Sequence, residues 1–328
     1  MKIAVFSTHK YDQDYFNQFN TGHDLTYFVL PLNEQTAALT VGYDAICIFV
    51  NDVVNKAVLA LLHTNGVKLI VLRCAGFNNV DVQAADDLGM PVLRVPAYSP
   101  EAVAEHAMAL ILTLNRKTHK AYNRVREGNF SLEKLMGFNL HNRKVAVIGT
   151  GNIGKAFCHI LKGFGCKISA YDTYPDDALA TQGVTYGTLE ETLADADIIS
   201  LHCPLMDTTR HLINKQTLKL LKKGAMLINT SRGGLINTVD VIEALKDCQL
   251  GYLGLDVYEQ EGKLFFHDYS EDVIPDELIT RLISFPNVLI TSHQGFFTKE
   301  AMEQIATITF GNIDAFVKGQ ELVNRVAV

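Results

Sequence analysis

Lys144-Val-Ala-Val-Ile-Gly-Thr-Gly-Asn-Ile-Gly154 decides the fold. An apolar, β-branched run at 145–148 enters the glycines, as a buried strand does. A helix-compatible segment, 155–162, leaves them. In the G-x-G-x-x-G spacing, Gly149 permits the tight turn. Gly151 lets the backbone approach a pyrophosphate, and Gly154 lets helix pack closely on strand. The phosphates would then sit on the free amides of a helix N-terminus. A second strand-like run, 167–171, ends at Asp172, near the roughly 20-residue spacing of an acid on the adenosine ribose. Strand, glycines, helix, strand and acid follow one another in register, which a chance glycine turn does not supply.

Composition bounds the rest. A chain of 328 residues is long for one hydrophobic core, so two domains are expected. The net charge is −7 with no long like-charge run, which argues against a nucleic-acid partner. The most basic stretch runs from Arg116 to Arg126 and reads as a solvated helix face. The N-terminus is too short in apolar length for a signal segment and reads as a first strand. No apolar run approaches a membrane span. Cysteines at 47, 74, 158, 166, 203 and 248 show no CxxC or zinc spacing. They read as reduced core thiols of a cytoplasmic protein without a metal.

Residues 1–98 alternate strand and helix by themselves. Strands are expected at 3–6, 44–50, 67–72 and 91–95, with a helix at 56–62. An apolar helix follows at 99–114, with Ser99 as N-cap, Pro100 in the first turn and Glu101 complementing the dipole. Val103, Ala107, Leu110, Ile111 and Leu114 share one face. That face suits either a core helix or a connector packing on another subunit. Six strands are expected beyond it, at 144–149, 167–172, 197–203, 225–231, 252–258 and 287–293, alternating with helices. An amphipathic helix at 299–318 could return to the first unit. The fold class is α/β: two Rossmann-like or flavodoxin-like parallel-sheet domains.

In open parallel sheets, ligands bind beyond the carboxyl ends of the strands. His202-Cys-Pro204, Asn229-Thr-Ser-Arg-Gly-Gly234, Asp256-Val-Tyr-Glu-Gln-Glu261 and Thr291-Ser-His-Gln-Gly295 stand at such ends. Together they offer an arginine, an acid and a histidine, which hydride transfer to a keto acid needs. Arg232 can pair with a carboxylate and polarise a carbonyl. His293 can supply the proton as the carbonyl oxygen gains charge. A neighbouring carboxylate would hold its tautomer, and Glu259 and Glu261 are equally available for that.

These motifs, with Arg73-Cys-Ala-Gly-Phe-Asn-Asn-Val-Asp81 and Val95-Pro-Ala-Tyr-Ser-Pro-Glu-Ala-Val-Ala-Glu-His106, resemble the D-isomer-specific 2-hydroxyacid dehydrogenase family over essentially the whole length. The likeness is strongest to its bacterial fermentative D-lactate branch. The resemblance implies a catalytic trio of Arg232, Glu261 and His293. It implies dinucleotide contacts at Asn152, Ile153, Asp172, Cys203, Pro204, Thr209, Thr230, Ser231, Arg232 and Asp256, beside the three glycines. Backbone amides around Ala75, Gly76 and Phe77 would hold the substrate carboxylate. Tyr98 and Phe296 would bound the side-chain pocket, where Arg232 and His293 also meet the substrate. The implied division is a substrate domain, 1–98 plus 296–328, and a dinucleotide domain, 99–295, with the active site in a cleft that closes to exclude water.

The cofactor follows from physics as well. Asp172 would accept bonds from ribose hydroxyls and repel a 2′-phosphate, and residues 173–177 hold no arginine to welcome one, so NAD is expected over NADP. Pyruvate and D-lactate are the expected substrate pair. A longer 2-keto acid or hydroxypyruvate is the alternative, and a phosphorylated acid is disfavoured for want of a basic cluster at the carboxylate loop. A dinucleotide-sensing binding protein is the reading from another class. A homo-oligomer, dimer or tetramer, is expected, with neither a membrane nor a nucleic-acid partner.

Overall fold

Parallel strands need crossover connections, and this chain places a helix or long loop between successive strands. The computed structural model describes residues 1–327. The chain forms two units: Met1–Ser99 with the segment from Phe297 onward, and Pro100–Phe296.

In the first unit, β1 (Lys2–Val5), β2 (Asp24–Tyr27), β3 (Ala45–Ile48), β4 (Leu69–Leu72) and β5 (Val92–Leu93) form a 5-stranded sheet in the order β2-β1-β3-β4-β5. Every pairing is parallel, and the order is that of a flavodoxin-like sheet. The helix Lys299–Val317 packs on the helix Lys10–Phe19 and on β4. Arg73, only 2% exposed, follows β4 directly. Its Nη1 and Nη2 donate to the carbonyls of Phe6 and Ser7 at 3.0 and 2.7 Å, and its Nε to Asp12 at 3.3 Å. A buried guanidinium persists only when paired and hydrogen-bonded. These bonds therefore pin the start of the loop after β4 to the end of β1.

The second unit holds a 7-stranded sheet of β6 (Lys144–Ile148), β7 (Lys167–Tyr171), β8 (Thr185–Tyr186), β9 (Ile198–Leu201), β10 (Ala225–Asn229), β11 (Leu250–Leu255) and β12 (Val288–Ile290). The order β12-β11-β10-β9-β6-β7-β8 is the doubly wound dinucleotide arrangement with one strand added at the edge. Period-two alternation fills both faces. Ala146, Ile148 and Leu227 join one apolar cluster, and Val145, Val147, Met226 and Ile228 join the other. At the switch point between β6 and β9, Gly149 has φ +96° and lies so close to the next crossover that a Cβ would stand 2.5 Å from the Cys203 amide nitrogen. The first glycine of the motif is thus demanded by both its dihedral angle and its neighbour.

The fold class is as expected, with corrections to its elements. The first sheet has β2 and the second has β8 beyond the expected strands. Both are edge strands, short and partly exposed, so neither carries a continuous apolar run. The expected strands of the second unit ran past their true ends by one to three residues, into loops. The connector helix, Pro100–Arg116, packs on the helix Asn152–Gly163, β10 and β11, burying Ala107, Leu110, Ile111 and Leu114 in one apolar cluster with Phe157, Met226 and Ile228. Those four of the five residues on its apolar face are thus core of the second unit. No helix among the described residues is long and apolar enough to cross a membrane.

The crossing of β6 and β9 also traps a titratable group. The His202 ring lies 4.8 Å from Phe157, with Nε2 at 2.9 Å from Ser200 Oγ and Nδ1 buried without a partner. Burial pushes its pKa down to about 3. Between that value and the unfolded value of about 6.5 the unfolded chain binds the extra proton, so stability falls as pH falls through this window. Between pH 7 and pH 5 this group should remove about 2 kcal/mol of stability. Urea unfolding of wild type and His202→Asn at the two pH values checks this. The variant should lose about 2 kcal/mol less over the interval, and an identical loss in both proteins would contradict the assignment.

Candidate active site

The nucleotide turn is built for a phosphate. The helix Asn152–Gly163 begins at Gly151, whose lack of a side chain leaves the helix without a side-chain cap. A Cβ on Gly151 would meet nothing within 4 Å, so open space adjoins the uncapped amides of Asn152 and Ile153. Gly154 packs under the turn, its would-be Cβ 2.0 Å from the Gly149 carbonyl oxygen. Asp172 follows β7, its carboxylate accepting from the Thr150 amide at 2.6 Å and the Tyr174 amide at 2.8 Å. The nearby Lys155 is already paired with Asp176, which leaves no free cation there for a 2′-phosphate among the described residues. At the end of β10, Thr230 Oγ1 is buried with no hydrogen-bond partner. An uncapped helix start, an acid at the second strand and an orphaned hydroxyl along one sheet edge fit a dinucleotide such as NAD.

The residues bordering that edge are mostly fixed by one another. Ser231 Oγ donates to the Cys203 carbonyl at 2.7 Å, joining the loops after β10 and β9. Thr209 Oγ1 donates to the Pro204 carbonyl at 2.7 Å and closes the turn beyond Cys203. Burial raises the Cys203 thiol to about 11, so it stays protonated and unreactive at neutral pH.

Arginine, glutamate and histidine come from three loops that touch. Arg232 follows β10, with Nη1 donating to the Ser231 carbonyl at 2.7 Å and its own carbonyl accepting from Asn229 Nδ2 at 2.9 Å. The next residue, Gly233, lies against the loop after β11: a Cβ there would stand 2.1 Å from the Tyr258 carbonyl carbon. Only glycine allows that approach. It seats the arginine loop on the one that carries Glu261. Glu261 Oε2 accepts from the Tyr258 amide at 2.9 Å, and Oε1 meets His293 Nδ1 at 3.0 Å. A carboxylate only accepts, so Nδ1 carries the proton of that bond and Nε2 is the nitrogen left for chemistry. The His293 and Glu261 side chains are 16% and 22% exposed, which strengthens their pairing while leaving them open to a ligand.

The two glutamates of that loop separate by partner. Glu259 bonds His211 Nε2 at 2.6 Å and Thr238 Oγ1 at 2.9 Å. Burial pushes its carboxyl up, but these hydrogen bonds outweigh it and hold the carboxyl below the ordinary range. Glu259 thereby ties its loop to the helix Thr238–Lys246, and Glu261 faces the histidine.

Asp256, expected among the dinucleotide contacts, is 1% exposed, and both its oxygens are engaged inside the unit. Oδ1 accepts from Thr291 Oγ1 at 2.6 Å and the Gln294 amide at 2.9 Å, and Oδ2 from the Gly295 amide at 2.8 Å. His106 Nε2, from the helix Pro100–Arg116, lies 3.2 Å from Oδ1. The Asp256 carbonyl accepts the His293 amide at 2.7 Å. Burial would raise this carboxyl, yet the bonds from His106 and Thr291 prevail and lower it. His293 itself has φ +52°, a left-handed conformation costly for a non-glycine residue, which persists only where its surroundings over-determine it. Asp256 supplies that over-determination from both sides of the residue.

The first unit carries the remaining expected residues. Arg94 donates to the Ala75 carbonyl at 2.9 Å and sets its guanidinium 5.1 Å over the Phe77 ring. Cys74 Sγ donates to the Gly76 carbonyl at 3.3 Å. Among the described residues no acceptor meets the amides of Ala75, Gly76 or Phe77, so the loop presents donors. Tyr98, beyond β5, is half-buried. Phe296 belongs to the second unit and is 8% exposed, whereas Phe297 packs edge-on against Tyr11 at 4.7 Å in the first.

Sequence reasoning missed His106, Thr291 and Arg94 as supports of these loops. His106 lies within an apolar helix and Thr291 lies 185 residues away, so no local spacing connects them. Asp256→Asn would turn an NH2 group toward one of the donors now facing the carboxylate. Urea unfolding should show a loss of about 3 kcal/mol for it and about 1 kcal/mol for Thr291→Val, which removes a single donor. Wild-type stability in Asp256→Asn would show that this carboxylate does not hold the loops together.

Comparison with known proteins agrees with this geometry. Residues 108–295 match the family model "D-isomer specific 2-hydroxyacid dehydrogenase, NAD binding domain". The chain is 52% identical over 322 residues to 2-hydroxyacid dehydrogenase A of Aspergillus oryzae, covering 97% of this chain and 92% of that protein. It is 49% identical over 328 residues to the D-lactate dehydrogenase of Escherichia coli, covering 99% and 100% of the two chains. The structure reported for the pyruvate reductase of Chlamydomonas reinhardtii superimposes with a TM-score of 0.93 at 46% identity, covering 99% of this chain and 98% of that one. A dinucleotide turn, a histidine held by a glutamate and an arginine loop seated beside them thus belong, here, to a member of the D-isomer specific 2-hydroxyacid dehydrogenase family, an NAD-dependent enzyme.

Proposed function

We propose that the enzyme reduces pyruvate to D-lactate. The observation that carries this reading is the His293 Nδ1 to Glu261 Oε1 bond at 3.0 Å, which orients an imidazole with Nε2 free to give up a proton. Bound NADH supplies the hydride to the keto carbon. His293, doubly protonated, delivers a proton from Nε2 to the carbonyl oxygen as negative charge develops there. The Glu261 carboxylate stabilises the imidazolium before transfer and keeps Nδ1 protonated after it. Arg232 exchanges its bond to the Ser231 carbonyl for the substrate, pairing with the carboxylate and polarising the ketone. The donor-presenting amides of Ala75, Gly76 and Phe77 take up the rest of the carboxylate charge.

Asn152, Ile153 and the three glycines bind the cofactor pyrophosphate, and Asp172 the adenosine ribose. Cys203, Pro204, Thr209, Thr230, Ser231 and Arg232 border its other half, and Asp256 acts through the loop it holds. Tyr98 and Phe296 limit the substrate side chain to a small apolar group. The names of the Escherichia coli and Chlamydomonas reinhardtii relatives support pyruvate and D-lactate as the pair.

Two further properties belong to this reading. The enzyme is cytoplasmic, supported by the free Cys47 and Cys158 thiols buried within its two units. It is a homo-oligomer, supported by Tyr122, Val125, Phe130, Leu132 and Met136, which are 51–87% exposed within one short stretch of the second unit. Sedimentation of the pure protein at the mass of one chain would contradict the second property.

Pure enzyme with NADH and pyruvate should lose NADH absorbance and accumulate D-lactate, with slower turnover as the keto acid lengthens. His293→Gln should lower kcat by roughly 10³-fold or more with NADH affinity retained. L-lactate as product, no NADH oxidation, or near-normal turnover of the variant would each overturn the reading.

A further inference from the structure

The strand added at the edge of the dinucleotide sheet, β8, is only 2 residues long, and its last residue is Tyr186. Thr185 and Tyr186 pair with Ser169 and Ala170 of β7, and the Gly187 amide extends the ladder to the Ala170 carbonyl at 3.2 Å. The Tyr186 ring is half-buried and packs on the apolar cluster that contains Val147 and Ala170. Its hydroxyl reaches the turns that follow β6 and β7.

Tyr186 Oη stands 3.0 Å from Thr150 Oγ1 and 3.1 Å from the Asp176 amide nitrogen. Thr150 Oγ1 in turn stands 3.1 Å from Asp172 Oδ2, which also accepts the Thr150 amide at 2.6 Å. The direction of each bond is forced. A carboxylate only accepts, so Thr150 gives its one hydroxyl proton to Asp172. An amide N–H only donates, so Tyr186 accepts from Asp176 and gives its own proton to Thr150. One chain of donors therefore runs from the Asp176 amide through the tyrosine and threonine hydroxyls to the Asp172 carboxylate. Hydrogen bonds linked in this way polarise and strengthen one another.

Both ends of the chain are fixed separately. Asp176 Oδ1 accepts the Leu179 amide at 2.9 Å as N-cap of the short helix Asp177–Thr181, and Oδ2 pairs with Lys155 on the helix Asn152–Gly163. Asp172 Oδ1 accepts the Tyr174 amide. Thr150 is 3% exposed, so without Tyr186 its oxygen would lose a donor and find little water in exchange. An ionised carboxylate has about four acceptor sites, and bonds from Thr150 and Tyr174 fill both of those on Oδ2 and one on Oδ1. What is left on Oδ1 is open to a ribose hydroxyl.

We propose that Tyr186 is a positioning residue for the cofactor: through Thr150 it fixes the Asp172 carboxylate in the orientation that receives the adenosine ribose and turns a 2′-phosphate away. The proposal rests on the reading of Asp172 as the ribose acid. Tyr186 acts through Thr150 and not by contact with the cofactor. A carboxylate already held in one rotamer loses less freedom on binding, and a fixed charge repels a 2′-phosphate more strongly than one free to rotate away.

Titration of nicotinamide fluorescence gives the Kd of NADH and of NADPH for wild type, Tyr186→Phe, Asp172→Ala and the double variant. Phenylalanine keeps the ring on its apolar cluster and removes only the hydroxyl. Tyr186→Phe should weaken NADH about threefold to tenfold and NADPH less, so that the preference for NADH narrows. In the Asp172→Ala background the same change should have little effect. Thr150→Val should reproduce the Tyr186→Phe loss, and Thr150→Ser, which keeps the hydroxyl, should bind NADH nearly as wild type does. Wild-type NADH affinity in Asp172→Ala overturns the ribose reading and the proposal with it. A loss in Asp172→Ala with none in Tyr186→Phe or Thr150→Val overturns the proposal alone. So does a Tyr186→Phe loss that is equal for NADH and NADPH, or that persists undiminished in the double variant, since the tyrosine would then only support the fold of the turn.

Discussion

One buried carboxylate organises the loops that carry the proposed catalytic residues. Asp256 gathers donors from Thr291, from the amides of Gln294 and Gly295, and from His106 on the connector helix. Its carbonyl takes the amide of His293. A charge 1% exposed is expensive to keep unless each lone pair is met, and here the meeting groups surround His293. The energy of satisfying Asp256 offsets the strain of a left-handed histidine. The same aspartate, through its amide, continues the β11 ladder to the Asn229 carbonyl and so reaches the arginine loop.

From that point the site assembles by close approach. Gly233 lets the arginine loop rest on the Tyr258–Glu259 backbone, and Glu261 is locked by the amide of Tyr258 three residues before it. Glu259, bound to His211 and Thr238, anchors the same loop from its far side. Each side chain proposed to react, Arg232, Glu261 and His293, is therefore oriented by a neighbour that is itself fixed by backbone. Preorganisation of this kind lowers the reorganisation needed as charge develops on the substrate oxygen.

Much of this was legible in the sequence, for reasons specific to particular residues. The glycine turn was readable because backbone proximity excludes every side chain at Gly149 and Gly154. Arg232, His293 and the glutamate pair at 259 and 261 stood out because each follows an apolar run, and in a parallel sheet that position faces the ligand edge. Choosing between Glu259 and Glu261 was beyond residue-level reading, since both sit on one loop and only their partners, 48 and 32 residues away, distinguish them. Asp256 read as a cofactor contact because its internal donors come from remote segments. β2 and β8 escaped notice because an edge strand needs no apolar run, and strand ends were overextended because apolar residues such as Val257 and Tyr258 continue into the loop as core. The basic helix, read as solvated, turned out to line a cavity because β11 and β12 begin beside it.

The central claim is that Glu261 acts through His293 as one proton-transfer unit. A double-mutant cycle on kcat/KM for pyruvate reduction, with Glu261→Gln, His293→Gln and the pair together, measures that coupling most directly. Groups that work as a unit are strongly non-additive, so Glu261→Gln should cost little once His293 is gone. Additive losses in the double variant would mean that the two residues act independently, and would contradict the account.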